Sequence, residues 1–381
     1  MRKRRAVWGI WLVLALLLYL FENNTGTRTL LLAGVLVPAF SVLCAKGAAG
    51  KIRCRLEAPA ECAKGEEATC FLQAEGSPLL LFCALHAWVS SENLLSGQGR
   101  VRAVTAGGIL HPKAACSFTE NSCGTVCLSA QKTEVRDVFG LFAFAVEPPQ
   151  PCYISIPAVL FAVDFRVDES LTSSEDSERW SFLKAGNDPS ETFAIREYVP
   201  GDPIRQIHWK LSQKTDQLMV RELGLPVSDD VLLLFESALS CDALPEDTPA
   251  AAEAMLSLSS ALLESAVPHA VAWRNPQLQA IEFFEINNLE DYRLMAGRLL
   301  ALDCKEGDET IGRAFQQDSG KLYAHTVLFS ARPDTDVLPL LGAGRVNLLL
   351  PKTQAASAVY GNIHTAAFPY AEEQETLYLE I

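Results

Sequence analysis

Residues 197–222 read EYVPGDPIRQIHWKLSQKTDQLMVRE. The run stands where one pattern stops and another begins. Ahead of it lie short alternating strands; behind it strands and helices take turns. Asp202 before Pro203 is a helix-start signal, a capping carboxylate followed by proline at the first helical position. Gly201 permits a tight entry that a side chain would hinder. Ile204, Ile207 and Leu211 recur at three and four residues and predict one apolar helix face. Arg205 and Trp209 lie four apart on that helix, within stacking reach. QLMVREL (217–223) then predicts a strand with Leu218 and Val220 on one face. Arg196, Arg205, Lys210 and Arg221 have Glu197, Asp202 and Glu222 as candidate ionic partners.

Working backward, residues 50–160 carry the signature of a β-sandwich. KIRCRLEAP and EEATCFLQAEG alternate, LLLFCALHAWVS is a continuous apolar run, and GSP, SGQG and ENSCG punctuate the strands. Gly140 predicts a bend between two strand halves. Residues 161–190 are acidic and Ser-rich and predict a mobile linker, with the signature segment following at 191–228.

Working forward, residues 229–381 alternate strand and helix. DDVLLLFE (229–236) is a buried strand. TPAAAEAMLSLSSALLESA (248–266) is a helix with Thr248 as N-cap and Pro249 near its start. NLEDYRLMAGRLLALD (288–303) is another, with Leu289, Tyr292, Leu294, Met295, Leu299 and Leu302 broadly on one side. DTDVLPLLGAG (334–344) predicts a short helical turn. AHTVLFS and RVNLLLP are further strands. This order predicts a mostly parallel sheet with helices on both faces.

The first 48 residues differ from all of this. Residues 6–21 and 29–45 are apolar runs near the lower length limit for a membrane-spanning helix. A second run following at once, with no small-x-small cleavage pattern between, favours a helical hairpin over a signal peptide. Arg2, Lys3, Arg4 and Arg5 precede the first run. Lys46, Lys51, Arg53 and Arg55 follow the second, and the loop between holds Arg28 and Glu22. The positive-inside rule predicts two spans with both ends, and the bulk of the chain, in the cytoplasm.

The 381 residues carry a formal charge of −14. Residues 1–55 alone are +8, which leaves −22 on the rest. An acidic body repels phosphate backbones and excludes nucleic acid as a partner, whereas the basic end suits anionic lipid. The 11 cysteines form no Cys-x-x-Cys pair, and their pattern suits buried thiols in a reducing compartment better than a zinc ribbon or a disulfide framework. Asp202, His208 and Ser212 contain the residue types of a hydrolase triad. Asp202 is engaged at a helix start, however, and no oxyanion-hole glycines accompany Ser212. The segment reads first as a structural staple with a partner-binding surface, and no catalytic residue is assigned.

Run 196–222 resembles the hallmark of the bacterial domain of unknown function 58 (DUF58) family. The matching positions are Arg196, Glu197, Tyr198, Gly201, Asp202, Arg205, Ile207, Trp209, Ser212, Val220, Arg221 and Glu222. VRDVFGLF (135–142) is similar to a second family motif, with Val138 in place of its proline. The resemblance covers most of the chain, paired N-terminal spans included. It implies a C-terminal domain like von Willebrand factor A. It also implies a membrane-linked assembly role beside a MoxR-type AAA+ ATPase and a transglutaminase-like membrane protein, with no reaction established. Such A domains hold Mg2+ through Asp-x-Ser-x-Ser. Here that place reads Glu236, Ser237, Ala238, Leu239, Ser240, with Ser330, Asp334 and Asp336 as further oxygens. Glutamate for aspartate, and alanine for a hydroxyl ligand, suit near-octahedral Mg2+ poorly, so the site is expected to be degenerate and no cofactor is expected. The full expectation is a multi-domain chain: a transmembrane helical hairpin, an all-β sandwich and a Rossmann-like α/β domain in a non-enzymatic interaction protein. Two alternatives stand beside it, a Mg2+-dependent adhesion domain and a hydrolase using Ser212 or His208.

Overall fold

The computed structural model describes residues 2–22, 24–107, 113–166, 188–224, 227–240, 243–307, 310–318, 322–332, 342–352, 359–360, 363–370 and 375–380. The chain divides into two compact units. One holds Met1–Asn93, Gln98–Asn121 and Thr125–Pro157; the other holds Leu94–Gly97, Ser122–Gly124 and Ala158–Ile381.

The first unit opens with helices α1 (Arg2–Phe21) and α2 (Thr25–Ala49), both long and apolar enough to cross a membrane. Each is longer than the apolar run that predicted it, because the flanking basic and small residues are helical too. Trp8 Nε1 donates to the Gly34 carbonyl at 3.2 Å. A Cβ at Gly34 would collide with the Trp11 ring, so glycine is what lets the two helices approach.

Strands β1 (Arg53–Glu57), β2 (Glu67–Glu75), β3 (Cys83–Asn93), β4 (Gln98–Gly107), β5 (Lys113–Thr119), β6 (Gly124–Asp137), β7 (Ala143–Val146) and β8 (Cys152–Ile156) follow. They form one sheet of order β1-β2-β5 and another of order β4-β3-β6-β7, with β8 also pairing β6. Side chains alternate across a strand, and β2 obeys this closely: Ala68, Cys70, Leu72 and Ala74 are buried while their neighbours face out. They meet Leu85, Ala87, Val126, Leu128, Ile154 and Ile156 of the other sheet, which makes the predicted sandwich. Ala45 and Ala48 of α2 join that core, so α2 ends inside the sandwich. The anticipated bend at Gly140 is present, with φ +66° between β6 and β7.

In the second unit, β9 (Val163–Arg166) is followed by the hairpin β10 (Asp188–Glu197) and β11 (Met219–Gly224), which encloses helix α3 (Trp209–Thr215). Then come β12 (Val227–Phe235), β13 (Ala238–Leu239), α4 (Asp247–Glu264), β14 (His269–Asn275), β15 (Ala280–Ile286), α5 (Leu289–Leu300), β16 (Lys305–Glu306), α6 (Ile311–Asp318), β17 (Leu322–Phe329), β18 (Gly342–Pro351), β19 (Val359–Tyr360), β20 (Ile363–Phe368) and β21 (Leu377–Glu380). The main sheet runs β15-β14-β12-β17-β18-β20-β19. Its five central strands are parallel, and the two edge strands are antiparallel. VLLLF in β12 is apolar at every position because both faces are covered. Val231, Leu233 and Phe235 pack toward α4, and Leu232 and Leu234 toward α6.

Several local expectations fail. Part of the supposed linker is strand β9, which pairs in parallel with the C-terminal β21; residues 167–187 lie outside the described residues. α4 begins at Asp247, not after a Thr248 cap, and buried Asp247 accepts the Leu244 amide and the Tyr370 hydroxyl. On α5, Leu289 and Leu294 are exposed, and Met295 and Leu299 carry the buried face. The predicted turn at 334–344 falls largely outside the described residues.

Candidate functional site

The signature segment is a hairpin that carries a short helix in the connection between its two strands. β10 and β11 pair antiparallel, with Arg196 opposite Val220 and Glu197 opposite Met219. The Tyr198 amide donates to the Leu218 carbonyl, and the His208 amide to the Met219 carbonyl, both at 2.8 Å. Ile207 forms an isolated bridge to Val220. Residues 204–211 are therefore not one helix, as the apolar spacing predicts. Ile204–Gln206 is a 3-10 turn, Ile207 is extended, and α3 starts only at Trp209.

Asp202 does not cap this helix. Its Oδ2 and Oδ1 accept from Arg196 Nη1 and Nη2 at 2.7 and 2.8 Å, and Oδ2 also accepts the Val199 amide at 2.8 Å. Arg196 Nε donates to Glu222 Oε1 at 2.7 Å. One guanidinium thus ties both strands to the loop between them, in the two-pronged geometry that arginine suits and lysine does not. These bonds, with the amide second, hold the Asp202 carboxyl down at about 2, and the carboxylates raise Arg196 further above its already high value. Gly201 closes the loop at φ +115°, a region that disfavours a Cβ.

The residues weighed for catalysis are tied into local structure. His208 Nδ1 accepts the Leu211 amide at 3.2 Å and is the actual cap of α3. The buried Ser212 hydroxyl donates to the His208 carbonyl at 3.1 Å and accepts the Met219 amide at 2.9 Å. Asp202 bonds Arg196, not His208.

Several apolar side chains of the segment are exposed. Ile204 is 70% exposed and Trp209 60%, and Val199, Leu218 and Ile195 are exposed as well. Sequence spacing places Ile204 on a buried face and Leu218 with Val220; the structure buries Ile207 and Val220 alone. No cation–π contact joins Arg205 to Trp209 among the described residues. Arg205, Lys210 and Arg221 are exposed too.

The second candidate lies at the carboxyl end of β12. Glu236 is 4% exposed; its Oε1 accepts the Ala238 amide at 2.9 Å and its Oε2 the Ile311 amide at 3.0 Å. It closes its own turn and tethers the start of α6, where a negative charge is favoured. Ser237 Oγ donates to the Arg274 carbonyl at 2.6 Å, and Ser330 Oγ to the Arg332 carbonyl at 2.7 Å. Ser240 sits beyond β13, half-buried. Asp334 and Asp336 lie outside the described residues. Among the described residues no group of three or more His, Cys, Asp or Glu could hold a metal ion. The ten described cysteines are free thiols. Cys70 donates to the Cys116 carbonyl at 3.1 Å, and burial first, then Cys116, pushes its thiol up to about 12.

A family model described as "Protein of unknown function DUF58" matches residues 194–267. That match supports the DUF58 family. It covers the signature hairpin from residue 194 onward, β12 and α4. Among solved structures, the chain is similar to the CARDB domain of a Pyrococcus furiosus protein crystallised with di-metal ions. The identity is 11%, over 28% of this chain and 86% of that chain, with a TM-score of 0.18, so nothing is argued from that likeness. No curated protein matches the chain.

Proposed function

We propose that the protein is a membrane-anchored interaction and assembly factor without enzymatic activity, its bulk in the cytoplasm. In this reading the signature hairpin is its docking surface. The carrying observation is that Ile204 and Trp209 stand exposed in a hairpin whose loop is bonded by the Arg196–Asp202–Glu222 staple. Large apolar side chains displayed on a fixed support characterise binding surfaces, and tryptophan is the residue type most enriched at their energetic centres.

Two apolar helices with basic outer flanks support anchoring and orientation. Numbered within their sheet, the seven strands run 3-2-1-4-5-7-6; without the two-residue edge strand β19 the order is 3-2-1-4-5-6 with strand 3 antiparallel, which supports a von Willebrand A-like reading of the α/β part. In such sheets ligands dock beyond the carboxyl ends of the strands, where Glu236 and Ser330 stand. Both spend their oxygens on the backbone, so the Mg2+-dependent adhesion reading gains no support from this site. The partner that the family resemblance suggests is a MoxR-type AAA+ ATPase, with a transglutaminase-like membrane protein alongside. Affinity capture of the full chain from native membranes tests this. Recovery of an ATPase is expected; recovery of no ATPase and no other stable partner contradicts it.

A further inference from the structure

The RDVFGLF stretch has no part in the docking surface above, yet it is built with care. Buried Asp137 folds residues 137–142 around itself. Its Oδ2 accepts the Phe139 amide at 3.1 Å, its Oδ1 the Phe142 amide at 2.6 Å, and its carbonyl the Gly140 amide at 2.8 Å. The loop so fixed turns apolar side chains outward: Val138 is 65% exposed, and Phe139 and Phe142 are exposed with it. Phe82, ending the 3-10 turn Pro78–Phe82, is exposed as well.

The 138–142 loop is bonded to both apolar helices, and the 78–82 turn to α2, at one level. The Ser41 hydroxyl of α2 accepts the Val138 amide at 3.0 Å and donates to the Phe82 carbonyl at 3.4 Å. Phe40 meets Phe82 edge-on at 5.6 Å between ring centres. From α1, Arg5 Nε donates to the Leu141 carbonyl at 2.6 Å, and its guanidinium lies 4.4 Å over the Phe142 ring. Arg4 packs against Gly140 so closely that a Cβ there would collide with it. At 1.5 Å per residue, Ser41 and Arg5 each lie about 24 Å from the helix ends at Thr25 and Phe21. A bilayer's hydrocarbon core is about 30 Å thick, so both sit near one of its boundaries. Phe40 and Leu43 continue the exposed apolar surface on α2 at this level. No acidic residue occurs in residues 1–21, 78–82 or 138–142, while residues 2–5 are all basic.

From this we infer that the 138–142 loop and the 78–82 turn form a seat on an anionic lipid surface. Phe82, Val138, Phe139 and Phe142 enter the boundary between headgroups and acyl chains, and residues 2–5 bind the anionic headgroups. The sandwich is then fixed to the bilayer at a third place beyond its two spans. The inference rests on the reading that α1 and α2 span the membrane.

A photo-crosslinking residue placed at position 139, 82, 14 or 121 of the full chain, in membranes containing phosphatidylglycerol, tests it. Lipid adducts are expected at 139 and 82, and at Leu14 within the span, with none at exposed Asn121. Adducts at 14 without adducts at 139 or 82 overturn the seat and leave the spans standing. Adducts at 139 and 82 without adducts at 14 overturn the spans, and with them the seat as the helix lengths place it. Adducts at none of the three overturn both, and a protein adduct at 139 in place of lipid also overturns the seat. In phosphatidylcholine alone the yield at 139 should fall; an unchanged yield contradicts the headgroup role of residues 2–5.

Discussion

Asp202 and Glu236 both organise a turn by accepting backbone amides, and their surroundings are opposite. Asp202 stands at the surface with a guanidinium across it. Glu236 is enclosed and accepts amides from two separate elements. Charge–charge attraction in water is weak and screened, so the Asp202 staple fixes geometry more than it adds stability. A buried carboxylate is the reverse case, because its removal strands donors that water cannot reach. One region fixes the shape of a surface loop; the other is part of what keeps the sheet and α6 together.

Glu236→Ala should therefore break the comparison most sharply. It leaves the Ala238 and Ile311 amides without their acceptor, at about 1–3 kcal/mol for each one buried and unsatisfied. Chemical denaturation should show the loss, and hydrogen exchange should locate it at the start of α6. A variant as stable as wild type would mean that water or a neighbour already serves those amides. Gly201→Ala comes next, at about 1–3 kcal/mol for a side chain forced into that backbone region. Its effect should be confined to the signature hairpin, and hydrogen exchange that rises across the whole sheet would argue against an independent staple.

Acid offers a gentler test. The Asp202 carboxyl sits at about 2 in the folded chain, below its ordinary value of 3.8, chiefly through Arg196. A depressed value means the bond contributes fully above roughly pH 4. Its contribution is lost as pH falls toward 2. Protection of the Val199 amide, taken against its intrinsic exchange rate at each pH, should fall in that window in wild type and not in Asp202→Asn. An equal fall in both would assign the transition to another group. The smallest expected effect is the stability change of Trp209→Ala, within about 0.5 kcal/mol because the ring packs on little. A larger loss of stability would show that the ring is structural, not presented.

Much of the architecture is legible in period alone. The two-residue alternation of β2 and the unbroken apolar run of β12 distinguish a half-buried sheet from a doubly covered one. The paired apolar runs forecast α1 and α2 within a few residues at most ends. What local pattern misses is competition. Asp202-Pro203 looks like a helix start, but Arg196 takes the carboxylate and Ile207 bonds to β11, so the helix begins six residues later at a histidine cap. The strand at Val163–Arg166 is hidden in polar sequence because its partner lies at the far end of the chain. Glu236 carries no local signal either, since one of its two amides comes from Ile311.

The central claim is that Ile204 and Trp209 are displayed for a partner. The direct measurement is quantitative capture from native membranes by wild type and by the Ile204→Ser/Trp209→Ser double variant, with matched thermal denaturation of both. The account predicts unchanged stability and loss of the partner from the variant. Equal recovery of the same partner by both proteins would contradict it.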